Sequence, residues 1–247
     1  LRKIEILKEL DKTTEVEATI SEFLYLPEIR RQEVAKLLDE KCYEKAICML
    51  NEGIVIAERG GNLGTLREWQ EQLLFIYEEV HDVAKVIEMC QLLFIHTNGS
   101  LDYYHKLKSL ISSTDWKEYL STLMQETTFY DYWGSGNNKA DIYIEEKEYD
   151  KLFSFLSAVK YRRLDALVQY ASHLNATHSS QILSLFTDDL RVYAEKNLGR
   201  SHYEYIARVL RGMRKLNGGK DVVKQLVEEF RVLYKRRPAM MQELGEF

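Results

Sequence analysis

The stretch from Lys41 to Leu93 constrains the fold more than any other part of the chain. Tyr43, Ala46, Ile47, Leu50, Ile54 and Ala57 recur at three- and four-residue steps, so they share one face of a helix. Gly60-Gly61-Asn62-Leu63-Gly64 interrupts that pattern, and Leu66, Trp69, Leu73, Ile76 and Tyr77 then line the face of a second helix. A further run opens at His81-Asp82-Val83-Ala84, 38 residues after Tyr43-Glu44-Lys45-Ala46. Later runs open at Trp116 and Tyr149, so the successive spacings are 38, 35 and 33 residues.

A helix pair of this length cannot cover its own apolar stripe and must stack on its neighbours. The expected fold is therefore all-α: a tetratricopeptide-like αα superhelix, a solenoid of antiparallel helix pairs with roughly 12–14 helices and no sheet. The small-residue positions of the strict repeat are not regularly filled, hence tetratricopeptide-like and not the repeat proper. The chain reads as a single helical repeat domain, 1–247, with N-terminal capping helices at 1–40, helix-pair repeats at 41–196 and basic C-terminal capping helices at 197–247. Pro27 suits the first turn of a helix over 28–40. Asp115, with Glu118 three residues on, reads as the N-cap of the helix carrying Trp116, Tyr119, Leu120 and Leu123. Beyond Tyr149, helices are expected at 150–159, 161–175, 178–196, 201–217 and 220–235, with a last short one from Pro238.

With only 2 Pro and 12 Gly, little in the chain breaks a helix. No apolar run approaches the roughly 20 residues a membrane span needs, and no signal peptide opens the sequence. The expected setting is cytoplasmic, with no membrane partner. Leu1 in place of Met reads as the start of an excised fragment. Cys42, Cys48 and Cys90 lack the CxxC spacing of a metal or redox site and read as buried packing in a reducing compartment. The net charge of −5 is unevenly spread. Residues 191–237 carry 13 Lys+Arg against 5 Asp+Glu, and the remainder 21 against 34. Such a basic end attracts an acidic partner or the acidic part of the chain itself.

The common catalytic and cofactor signatures do not occur in the sequence. The six histidines are scattered, and His173 and His178 stand five apart, off a common helical face; no HExxH occurs. Gly218-Gly219-Lys220-Asp221 lacks a P-loop's leading glycine, since Arg214 stands there, and its hydroxyl residue, since Asp221 does. No GxSxG or GxGxxG is present. No cofactor and no metal are expected.

Two stretches are candidate binding sites. Tyr130, Tyr132 and Trp133 lie beside Gly134-Ser135-Gly136-Asn137-Asn138, either as a long loop whose rings cap the core or as an aromatic anchor for a partner. Arg208, Arg211 and Lys215 fall at i, i+3 and i+7, opposite Ile206, Leu210 and Met213, with Glu204 placed to pair with Arg208. That row is either a solvated face or a phosphate-contacting stripe extended by Lys235, Arg236 and Arg237.

The segments Ser201–Leu210, Met213–Gly219 and Tyr234-Lys235-Arg236-Arg237-Pro238-Ala239-Met240-Met241-Gln242-Glu243-Leu244 resemble the tail of bacterial SWIM zinc finger proteins. Tyr161-Arg162-Arg163-Leu164-Asp165-Ala166-Leu167 belongs to the same resemblance, whose convincing part covers roughly the last 50 residues. The family's CxC and CxH zinc motif is absent from this chain, so neither zinc nor the finger's nucleic-acid role carries over. The resemblance implies the helical region downstream of such a finger. In a terminal cap of this kind Tyr234 closes the core, Met241 and Leu244 pack back, and Arg236 and Arg237 stay in water or pair with acidic surface.

The functional expectation is a non-enzymatic scaffold that holds a protein or peptide, or another domain of the parent chain, in a concave groove. The second reading is a nucleic-acid-associated accessory module using the basic end. The third is an enzyme with a pocket between helices.

Overall fold

The computed structural model describes residues 2–129 and 137–247, and among these there are fifteen α-helices and no strand. The chain falls into two compact units, Leu1–Thr128 and Phe129–Phe247. Their boundary lies inside the stretch that the sequence assigns to continuous repeats.

The first unit holds α1 (Arg2–Glu9), α2 (Thr13–Phe23), α3 (Pro27–Asp39), α4 (Tyr43–Arg59), α5 (Leu63–Glu79), α6 (Val83–His96), α7 (Leu101–Leu110) and α8 (Trp116–Glu126). From α3 to α7 each helix packs on the next along the chain, which brings Leu50, Trp69, Leu73, Leu93, Phe94, Tyr104 and Leu107 out of water together. Arg30 is buried among them. Its guanidinium donates to the carbonyls of Leu24, at 3.1 Å, and of Met49, and lies 3.6 Å from Glu52. Gly53 makes room for it: a Cβ there would stand 2.7 Å from Arg30 Cδ and 3.0 Å from Trp69 Nε1.

One turn recurs between these helices. Asp11, Lys41, Gly61 and His81 each take left-handed backbone, with φ between 54° and 66°. The next residue, Lys12, Cys42, Asn62 or Asp82, donates its N–H to the carbonyl five residues back, at 2.8–3.0 Å, and the following helix starts at once. His81 is therefore a corner residue, whereas Tyr43 and Tyr149 are first residues of helices. The equivalent of Tyr43 in the third run is Val83. The underlying step is one helix and one turn, 20 residues, as Lys41, Gly61 and His81 mark it.

The second unit holds α9 (Asn138–Glu145), α10 (Tyr149–Ala158), α11 (Arg163–Tyr170), a 3-10 turn (Ala171–Leu174), α12 (Ser179–Lys196), α13 (Arg200–Met213), α14 (Gly219–Leu233) and α15 (Pro238–Glu243). Lys147 repeats the corner of the first unit between α9 and α10, at φ 59°, with Glu148 N–H 2.8 Å from the Tyr143 carbonyl. Beyond that point the regularity ends. The helix expected over 161–175 begins only after Arg162, which is itself left-handed at φ 55°, and becomes a 3-10 turn at Ala171. α13 packs against α11, α12, α14 and α15, and Ile206, Val209, Leu210 and Met213 are fully enclosed. Gly219 opens α14 so close to the end of α13 that a Cβ would lie 1.9 Å from the Met213 carbonyl oxygen.

Three local expectations change. Asp115 stands at the N-cap of α8 but makes no side-chain cap bond; its carboxylate accepts from Ser112 Oγ at 2.8 Å instead, and Ser112 Oγ accepts from Asp115 N–H at 3.3 Å. Cys48 is exposed and Cys42 half-buried, so only Cys90 is core packing. α9 is an additional helix, capped by Asn137, whose side-chain oxygen accepts from the N–H groups of Lys139 and Ala140. Tyr130, Tyr132 and Trp133 lie outside the described residues.

Candidate functional site

The second unit carries a cleft of about 900 Å³, walled by the α10–α11 connection, the C-terminal half of α12 and the middle of α13. Val159 ends α10 in extended backbone and turns the chain, so that Lys160, Tyr161 and Arg162 form a short connection rather than a continuous helix. Arg163, first residue of α11, then reaches across to α12. Its Nε and a terminal nitrogen meet the two oxygens of Asp189 at 2.7 and 2.5 Å, and its other terminal nitrogen donates to the Ser157 carbonyl at 3.1 Å. This two-point pairing, the largest influence on the Arg163 guanidinium, raises its pKa further and locks the wall of the cleft.

A second carboxylate is held as firmly. Asp165 accepts from Arg162 Nε at 2.7 Å and from the Tyr205 hydroxyl at 2.9 Å. Burial pushes the Tyr205 hydroxyl well above the usual phenol range, and its bond to Asp165 adds to the shift, so this proton stays in place. One side of the Tyr205 ring meets the Tyr193 ring at 4.9 Å between centroids, and the Arg208 guanidinium lies over it at 4.9 Å. Tyr193 shares a hydrogen bond with His202 Nδ1 at 2.8 Å.

The charges of the cleft divide accordingly. Asp165 and Asp189 are both committed to arginines. Lys160, Lys196 and Arg208 line the same cleft, are exposed, and form no ion pair among the described residues. With its carboxylates occupied and its tyrosine hydroxyl donating, the cleft offers positive charge and apolar wall, from Val159, Leu164 and Val192, more than a general base.

The basic row of α13 borders this cleft and a second one. Arg208, Arg211 and Lys215 line a neighbouring hollow of about 470 Å³ against Val168, Ala171 and Phe186, so Arg208 belongs to both. The row is nevertheless not a continuous stripe. Arg211 is paired with Glu246, at 2.7 Å, and Glu204 pairs with Arg200, at 3.3 Å, instead of with Arg208. Arg237 is half-buried, donating to the Ala194 carbonyl at 2.6 Å and lying over the Tyr234 ring at 4.2 Å, so it is a structural cap and not a solvated charge. Arg236 is exposed. Lys160 and Lys196 share no local sequence signal, since one lies on the α10–α11 connection and the other at the end of α12. The only hint was the compact Lys160-Tyr161-Arg162-Arg163 run.

Among the described residues, no three His, Cys, Asp or Glu side chains converge as a metal site would require, and no helix is long and apolar enough to cross a membrane. Comparison with protein-family models, with curated proteins and with solved structures finds no match to the chain.

Proposed function

We propose that this chain is a non-enzymatic protein-interaction module, tetratricopeptide-like in its first unit, whose second unit takes a peptide segment in the cleft between α11, α12 and α13. The observation that carries this reading is the division of charge in the cleft: two carboxylates are consumed by Arg162 and Arg163, while Lys160, Lys196 and Arg208 line it with no ion pair among the described residues. A site that has spent its acid–base groups on its own walls is suited to holding a ligand. The first unit adds support of another kind, since helices that pack on their chain neighbours through one repeated corner are how helical-repeat scaffolds are built. The likeness of the tail to SWIM zinc finger proteins fits a module working beside other domains in a cytoplasmic protein.

Panning a random peptide library against the full chain tests this. Enriched sequences are expected whose binding disappears in Val192→Arg, which fills the cleft from an exposed position of α12. A library that yields nothing, or peptides indifferent to Val192→Arg, sinks the reading.

A further inference from the structure

Resting on that reading, we infer that the occupant is an extended acidic peptide with apolar side chains, lying across Arg208 from the larger cleft into the smaller. Three features of the surface converge on it. First, the unpaired cations stand on separate elements: Lys160 on the α10–α11 connection, Lys196 at the end of α12, and Arg208 and Lys215 along α13. Charges spread this way answer several carboxylates along a chain better than a single compact anion. Second, both hollows mix charge with apolar wall: Val159, Leu164 and Val192 in the larger, Val168, Ala171 and Phe186 in the smaller. Alternate residues of an extended segment reach the two kinds of surface in turn. Third, Arg208 lines both hollows, so a ligand that fills both runs beside it.

The same surface fits nucleic acid poorly. Phosphate binding draws on a dense row of free cations, but Arg211 is neutralised by Glu246 and the second unit carries 19 Lys+Arg against 16 Asp+Glu, a formal +3. Base stacking needs open aromatic faces, and Tyr205 is engaged by Tyr193 and Arg208.

The test uses the full chain and three fluorescein-labelled probes: a short peptide alternating Glu with Leu and Phe, its Lys-for-Glu counterpart, and oligothymidylate. Anisotropy titration is expected to show binding of the acidic peptide alone, weakening as salt is raised. Lys196→Glu and Lys160→Glu, both exposed and without ion pairs, should each weaken it about tenfold, and Arg208→Glu by more, with unchanged helical circular dichroism. Equal binding of the Lys peptide, preference for the oligonucleotide, or indifference to all three reversals overturns the inference. The library separates the two levels. Cleft-dependent peptides that are neutral or basic would leave the module standing and remove the acidic occupant alone.

Discussion

The two units solve the same problem, covering apolar helix stripes, in different ways. In the first, copies of one corner join α3 to α4, α4 to α5 and α5 to α6, and from α3 to α7 each helix packs on its sequence neighbour. In the second, α13 is surrounded by α11, α12, α14 and α15, and the connections differ from one another. From α3 to α6 a repeated corner places each stripe against the next, and the larger hollows of this unit, about 700 and 450 Å³, lie beside α1 and α2. The short connection from α10 into α11 leaves space beside α12 and α13, and that space is the cleft. Regularity here makes scaffold, and its interruption makes a site.

Substitutions sharpen this contrast, and the largest effect is expected where helices meet most tightly. Gly219→Ala sets a methyl group against the Met213 carbonyl, a backbone atom that has no rotamer to retreat into. It should cost about 3 kcal/mol or more in urea unfolding and raise amide exchange in α13 and α14. Wild-type stability in that variant would mean that α13 and α14 do not approach as described. In the first unit the corresponding point is Arg30. Arg30→Met keeps the bulk but strands the Leu24 and Met49 carbonyls, with an expected loss of about 2–3 kcal/mol. A loss as large as that of Gly219→Ala would erase the difference between the units.

The corner they share should respond alike in both. Lys41→Gly and Lys147→Gly relieve left-handed backbone at φ 55° and 59°, and each should gain up to about 1 kcal/mol. A gain in only one unit would show that the corners are not equivalent. A test confined to alkaline pH concerns Cys90. Burial pushes its thiol from 9.0 up to about 11, so in this range the folded chain holds a proton that the unfolded chain has released. Stability should therefore fall as pH rises from about 9 to 11, by a slope that Cys90→Ala makes shallower and that the partly buried tyrosine hydroxyls, raised likewise, share. At neutral pH a thiol reagent should label Cys48 well before Cys90.

Much of the secondary structure was legible because the stripes are strong: Ile206, Leu210 and Met213 are buried as their spacing requires, and so are Leu66, Trp69 and Leu73. The corners were legible only where glycine marks them, at Gly61. Lys41, His81 and Lys147 carry no local sign of left-handed backbone, and His81 was read as the head of a helix for that reason. The site was half visible. The spacing of Arg208, Arg211 and Lys215 revealed a charged face, but the pairing of Arg211 with Glu246 is a long-range fact that no local pattern contains. Lys160 and Lys196 matter only because the fold brings the α10–α11 connection and the end of α12 to one hollow.

The recurring corner also bears on the order in which the chain assembles. A non-glycine residue in left-handed backbone is disfavoured by about 1 kcal/mol until the hydrogen bond to the carbonyl five residues back exists, and that carbonyl is in place only once its helix has formed. Joints of this kind close after the helices they link. Glycine at Lys41 should then retard unfolding while leaving the refolding rate nearly unchanged, a division that stopped-flow chevrons read directly.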